Sequence, residues 1–402
     1  MESERLQELK QRAHRELLEN ILPFWRSQVI DYQNGGFIGR MSHDLVIDKR
    51  APKGLILNAR LLWSYSALYD FTQDSSCLNL ARRAYDYLLG NFLDSEYGGA
   101  YWMLDVLGAP LDAKKKIYGQ AFVIYALAEY YRVFGQEETL AKALELFELI
   151  ENAAWDEEFG GYVETFERDW TPTSDLRLSA VDMNEKKSMN THLHVLEAYA
   201  ALYRQSREKA VAKRLEQVLQ LFFEHIIDAQ AYRLHMFFDE KWTVKSTVDS
   251  FGHDIEASWL LCEAAEILED NDWIGKAKET AVKMADAVLE KAVDKDGGIF
   301  YEGGPEGIID TDKHWWPQAE GAVGFLNAYS ISRDERFLDA AVKTWEFIEQ
   351  YIVDKVHGEW FWRVDRDGKP ILEEPKVSEW KCPYHNSRAC LEIIKRVDQL
   401  NQ

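Results

Sequence analysis

The sequence predicts an all-α chain closed into a ring of six helix pairs, an (α/α)6 barrel or six-hairpin toroid with short β-hairpins at one rim. Three observations carry that expectation: a glycine punctuation of nearly constant period, two helical windows after each punctuation, and chain ends of complementary character.

Glycine pairs followed by alternating apolar residues recur at Gly35-Gly36-Phe37, Gly98-Gly99-Ala100-Tyr101-Trp102, Gly160-Gly161-Tyr162 and Gly297-Gly298-Ile299-Phe300, with a worn copy at His357-Gly358-Glu359-Trp360. Gly36 to Gly99 is 63 residues, Gly99 to Gly161 is 62, and the 137 from Gly161 to Gly298 fits two periods. A copy without glycine is therefore expected midway, where Ala231-Tyr232-Arg233-Leu234-His235-Met236-Phe237 stands; Gly298 to Gly358, 60 residues, completes six repeats.

Each alternating stretch reads as a β-hairpin and is followed by two windows of helical periodicity. The first window is apolar on all sides (53–71, 117–134, 188–203, 253–268 and 315–331), which predicts an inner helix; the second carries charge on one face (140–152 and 273–291), which predicts an outer one. The chain starts with an outer-type helix over about 4–27 and ends with an inner-type helix over about 383–400, so pairing the ends closes the ring. No linker rich in Pro, Gly or Ser interrupts the period, and residues 1–402 are expected to form one domain.

Composition narrows the function. Hydrophobic residues make up 47% of the 402 and aromatics 13%, including 14 Trp and 19 Tyr, enough for a large core and suited to sugar binding. A formal charge of -22 repels phosphate backbones and anionic membranes, so neither nucleic acid nor membrane is an expected partner. Cys77, Cys262, Cys382 and Cys390 show no metal-ligand spacing, and no apolar run near residue 1 resembles a signal; both point to the cytoplasm.

If the hairpins ring one mouth, polar residues early in each inner helix should converge there. That filter selects Asn58, Arg60, Tyr118, Asn190, His194, His253, Glu256, Trp316, Glu320, Trp380, His385 and Asn386. Among the histidines, His14, His43, His225 and His357 fall on outer helices or loops. His192 and His194, two apart, cannot both face the axis, and His194 shares a face with Asn190. His253, three before Glu256, is expected to work with that carboxylate. His314, beside two tryptophans at a helix start, is expected to be structural. No His-Glu-x-x-His spacing occurs, so no metal is expected. Glu256 and Glu320 keep a glycosidase reading open, but the surplus of imidazoles suits proton transfer at carbon better.

Four segments, 188–199 (SMNTHLHVLEAY), 252–259 (GHDIEASW), 315–320 (WWPQAE) and 380–386 (WKCPYHN), closely resemble the motifs of cellobiose 2-epimerases in the N-acylglucosamine 2-epimerase superfamily. The resemblance spans nearly the whole chain and implies the (α/α)6 fold, no cofactor, and a β-1,4-linked disaccharide such as cellobiose, lactose or mannobiose as substrate. It implies inversion at C2 of the reducing-end sugar through ring opening and an enediolate. His385 would carry the C2 proton, and His253 with Glu256 would open the ring and act as second acid/base. Arg60, Asn190 and His194 would stabilise developing oxyanions, Tyr118 would hydrogen-bond nearby, and Trp316 and Trp380 would offer faces to the sugar. Superfamily aldose-ketose isomerases with similar histidines remain an alternative.

Overall fold

The computed structural model describes residues 2–401. Twelve helices form two concentric layers. The outer layer comprises Glu2–Glu16, which continues through a π-helical turn to Ser27, then Ser75–Tyr87, Glu137–Ala154, Lys209–Leu221, Asn271–Lys291 and Glu335–Phe347. The inner layer comprises Leu55–Thr72, Ile117–Phe134, Met189–Ser206, Phe251–Leu268, Trp315–Ser332 and Tyr384–Leu400. Each inner helix packs against the next and the sixth against the first, while Glu2–Glu16 packs on the sixth, so the predicted closure is present. Apolar residues on all faces let the inner helices bury against both the outer layer and each other.

The first five inner helices have 18 residues each and end on a left-handed residue: Gln73, Gly135, Arg207, Glu269 and Arg333. That conformation terminates the helix by turning its last amide back onto a carbonyl. Asp74, Asp270 and Asp334 then accept amide hydrogens at the start of the following outer helix.

Local hairpins do form, as at Met103–Asp112, but the rim is also woven between repeats, which local alternation does not reveal. Each glycine-type turn is closed by a single bridge: Ile30 to Phe37, Leu93 to Ala100, Trp155 to Tyr162, Ile227 to Leu234, Val293 to Ile299 and Val353 to Trp360. The short strand before each inner helix pairs with the next repeat, placing Lys53 opposite Leu104, Lys115 opposite Phe166, Lys187 opposite Phe238, Asp249 opposite Gly303 and Lys313 opposite Val364. Met41 with Val377 makes the sixth such junction and closes the rim.

A buried ion pair repeats with the strands. Lys53, Lys115, Lys187, Lys313 and Lys376 reach Asp31, Asp94, Asp156, Asp294 and Asp354 at 2.9, 2.9, 2.8, 3.0 and 2.5 Å. In four of those turns the aspartate also accepts the amides two and three residues on, fixing the turn that carries the glycines. The fourth repeat departs: Asp249 stands at the lysine position and pairs with Arg233. Among the described residues no helix is long and apolar enough to cross a membrane.

Candidate active site

The register of the inner helices decides which side chains reach the axis. Residues two and six lie one turn apart on the same face. The second residues of three helices are Tyr118, Asn190 and Trp316, and the sixth residues of four are Arg60, His194, Glu256 and Glu320. Residue four points back to the rim instead. There Gln120 and Gln318 bind the backbone of Ala100 and Ile299, and Asp254 accepts the Leu234 amide. His192 occupies this position: its Nε2 accepts the Tyr162 amide at 2.9 Å and its Nδ1 donates to the Ser188 carbonyl at 2.7 Å. Asn58 is also a fourth residue; its amide donates to Gly54 and lies outside the cavity, contrary to the expectation. Asn386 likewise turns away, donating to Glu359.

His385, His253, Glu256, His194, Arg60, Tyr118, Asn190, Trp316 and Trp380 all line one cavity of about 550 Å³. The Trp316 ring lies against both His253 and His385, with centroids 4.6 and 5.6 Å away. Trp380 meets Tyr118 and Trp102. Arg60 donates to the Tyr118 hydroxyl at 2.9 Å, and the Asn190 Oδ1 has no protein partner. His314 stacks on Tyr301 with centroids 3.7 Å apart, and, beyond the structural role expected of it, both rings line the same cavity.

The expected pairing of His253 with Glu256 is not what the helix face produces. The His253 Nδ1 instead meets the Ser250 hydroxyl at 2.7 Å. Glu256 is drawn to the buried guanidinium of Arg388, which donates to it at 2.6 Å, because a buried carboxylate takes the nearest counter-charge over a neutral ring. The carboxylates serve His385: its Nδ1 lies 2.7 Å from Glu320 and 3.9 Å from Glu256. His194 has an analogous partner, Glu197, at 3.0 Å. Glu197 and Arg388 escaped the sequence reading, although each sits three residues after a selected histidine, the spacing that puts two side chains on one helix face.

Burial keeps the imidazoles neutral. His253 is pushed down to about 3 by burial and then by His194 and His385. His385 is pushed well below its usual value by burial, with Arg60 and Arg388 adding to it, and His194 is lowered mainly by burial. Glu256 moves the other way, up to about 8, through burial and the neighbouring Glu320. Its Oε2 has no partner among the described residues, and Glu256 is one of the residues lining the cavity. With each Nδ1 engaged by a carboxylate or hydroxyl, three imidazoles keep Nε2 for a ligand, as bases rather than cations.

Glu256, Glu320 and His385 lie close enough to share a metal ion. Arg388 donates to both carboxylates from one nitrogen, at 2.6 and 2.7 Å, so a cation there would face a guanidinium. His43, Asp354 and His357 form a second cluster, but the Lys376 ammonium already occupies Asp354.

Residues 36–389 match the N-acylglucosamine 2-epimerase (GlcNAc 2-epimerase) family. The chain is 44% identical to the cellobiose 2-epimerase of Bacteroides fragilis, over 96% of this chain and 98% of that one. It is 42% identical to that of Dictyoglomus turgidum, over 98% and 100%. The solved cellobiose 2-epimerase of Bacillus thermoamylovorans superposes with a TM-score of 0.92 at 40% identity, covering 96% of this chain and 99% of that one. The chain belongs to the N-acylglucosamine 2-epimerase family. It is a carbohydrate epimerase, an enzyme of the isomerase class. A GH76 α-mannanase from Bacteroides thetaiotaomicron, at 12% identity and a TM-score of 0.66, shares the fold alone.

Proposed function

We propose that this enzyme inverts C2 of the reducing-end sugar of a β-1,4-linked disaccharide, of the cellobiose, lactose and mannobiose class, without a cofactor. The observation that carries the reading is a pair of neutral imidazoles, His253 and His385, on one aromatic platform in one cavity. Full-length similarity to cellobiose 2-epimerases supports the substrate class.

The chemistry follows from those groups. His253 takes the proton of the C1 hydroxyl as the C1–O5 bond breaks and O5 takes one from solvent, leaving an open-chain aldehyde and a protonated His253. The aldehyde acidifies C2–H, which His385 removes through Nε2 to give an enediolate. Arg60 and Asn190 donate to the oxygens where charge grows, and donors fixed beforehand are worth several kcal/mol there; His194, its Nδ1–H held by Glu197, accepts from a sugar hydroxyl through Nε2. The planar enediolate is then protonated on its other face by His253; as the ring closes His253 relays the O5 proton to O1, and His385 releases its proton to solvent. Trp316 and Trp380 flank the sugar rings. Glu256 and Glu320 share one guanidinium nitrogen on one wall rather than facing each other across a sugar, which argues against acetal hydrolysis.

Incubation with cellobiose in D2O tests the reading. Deuterium at C2 of an intact glucosyl-mannose is expected. A ketose product would make the enzyme an aldose-ketose isomerase, and free glucose would make it a hydrolase; either overturns the proposal.

A further inference from the structure

Arg388 makes a set of contacts that no mechanistic step above uses. Its side chain is only 3% exposed and lies one turn beyond His385 on the sixth inner helix. One guanidinium nitrogen donates to Glu256 and Glu320, and the other to Glu197 and the Tyr384 hydroxyl. Two of those carboxylates hold a catalytic imidazole by Nδ1: Glu320 holds His385 at 2.7 Å, and Glu197 holds His194 at 3.0 Å. The Trp259 indole also donates to Glu320, at 3.1 Å, and its ring lies under the guanidinium at 4.8 Å. One buried cation thus ties together three carboxylates from three inner helices and, through two of them, two imidazoles on opposite sides of the ring.

We propose that Arg388 is a positioning residue: the shared counter-ion that keeps Glu197 and Glu320 ionised, so that His194 and His385 are held as Nδ1–H tautomers with a basic Nε2 toward the sugar. An ionised carboxylate accepts the Nδ1 hydrogen; a protonated one competes as a donor and releases the ring. Burial presses both carboxyls toward protonation, and Arg388 opposes that for each. Arg60, the other buried cation nearby, cannot substitute. It lies on the Tyr118 hydroxyl and the rings of Phe122 and Tyr384, with no carboxylate in ion-pair range among the described residues. The remaining titratable groups around the cluster are accounted for. Tyr118 and Tyr125 face it from the second inner helix as neutral phenols, and His253 from the fourth is tied to Ser250. Glu392, on the same helix as Arg388, pairs with Lys395 and Arg396.

The inference rests on the epimerase reading for its kinetic test and is independent of it for its spectroscopic one. Arg388→Met and Arg388→Lys are made in the full chain, labelled with 15N-histidine, and long-range 1H–15N spectra are recorded without substrate. In Arg388→Met, His194 and His385 should lose the pure Nδ1–H pattern, while His253 and His192, held by Ser250 and backbone, keep theirs. With cellobiose, the acidic limb of kcat should move to higher pH by at least about one unit, since the carboxylates protonate more easily. KM should change less than about threefold, as Arg388 is not placed against the sugar. Arg388→Lys should bring the limb most of the way back. Unchanged His194 and His385 tautomers, or an unmoved limb, would overturn the proposal. If Arg388→Met does not fold, Glu197→Gln decides: it removes a negative neighbour, so the limb must move to lower pH, and a limb that stays or moves up refutes the role. Failure of the unaltered protein to epimerise cellobiose would overturn the functional reading instead, with the tautomer result still deciding this one.

Discussion

A single added methyl at Gly252 should disable the enzyme without unfolding it. A Cβ built there lies 2.4 and 2.5 Å from two atoms of the Trp316 ring and 2.8 Å from the Pro317 ring, against 3.4–4 Å for ordinary contact. The indole must therefore retreat by about 1 Å. It can do so, because Trp316 borders the cavity, with open space on that side. The same ring rests on His253 and His385, so the shift moves the platform between the two proposed proton carriers. A displacement of 1 Å in a reacting constellation costs on the order of 10²-fold, about 2.7 kcal/mol of transition-state stabilisation. The backbone cost runs the other way: Gly252 is inside a helix with ordinary φ, where Ala is favoured by roughly 1 kcal/mol. Gly252→Ala should hence keep its circular dichroism and melt within a few degrees of the parent while kcat for cellobiose epimerisation drops by about two orders of magnitude. A variant with kcat within twofold of the parent would refute the idea that Trp316 spaces the two imidazoles.

Four further outcomes follow. His385→Asn and His253→Asn should each lose about 10²- to 10⁴-fold in turnover with little change in melting temperature, whereas His192→Asn, which unpins the Tyr162 amide, should cost stability more than turnover. Trp316→Ala should stay folded, raise KM for the disaccharide, with stacking worth about 0.5 to 1.5 kcal/mol, and lower kcat as the platform under the two imidazoles is lost; a cooperative loss of structure would return the indole to the core. Dialysis against EDTA should leave turnover unchanged, and a loss restored by a divalent ion would break the cofactor-free mechanism. Finally, Arg168 and Lys115 hold the Asp94 carboxyl below the usual carboxylate range despite burial. A depressed folded-state value adds stability above pH about 4 and loses it as pH falls toward that value. Asp94→Asn should flatten the fall in melting temperature between about pH 4 and pH 2 relative to the parent.

The glycine pairs carried the architecture because a tight turn must recur wherever a strand hands over to a helix pair, and their spacing counts the repeats. The ion pairs that lock those turns were equally periodic, since Asp31, Asp94, Asp156 and Asp354 stand four residues before the position of the first glycine, but each lysine partner lies 21 to 31 residues downstream. Lys115, in the middle of the basic run Lys114-Lys115-Lys116, is wholly buried. At the site, helical register was enough to separate His194 from His192. It failed for Glu256, whose partner is chosen by charge across the ring: Arg388 is 132 residues away in sequence. Interactions within one turn of helix leave a local signature, and those between opposite staves of a barrel do not.

The junction of Met41 with Val377 has a bearing on how the molecule comes into being. Five of the six rim junctions join neighbouring stretches of chain and can form as synthesis proceeds; the sixth joins segments more than three hundred residues apart. His385, one of the two imidazoles against Trp316, and Arg388 arrive only with that last stave. A ribosome-bound chain holding five repeats would present an open arc with its polar interior exposed and its two apolar edges unmatched, a species prone to pairing with a second arc. Catalytic competence should therefore appear in a single late step, paced by a long-range closure rather than accumulated helix by helix.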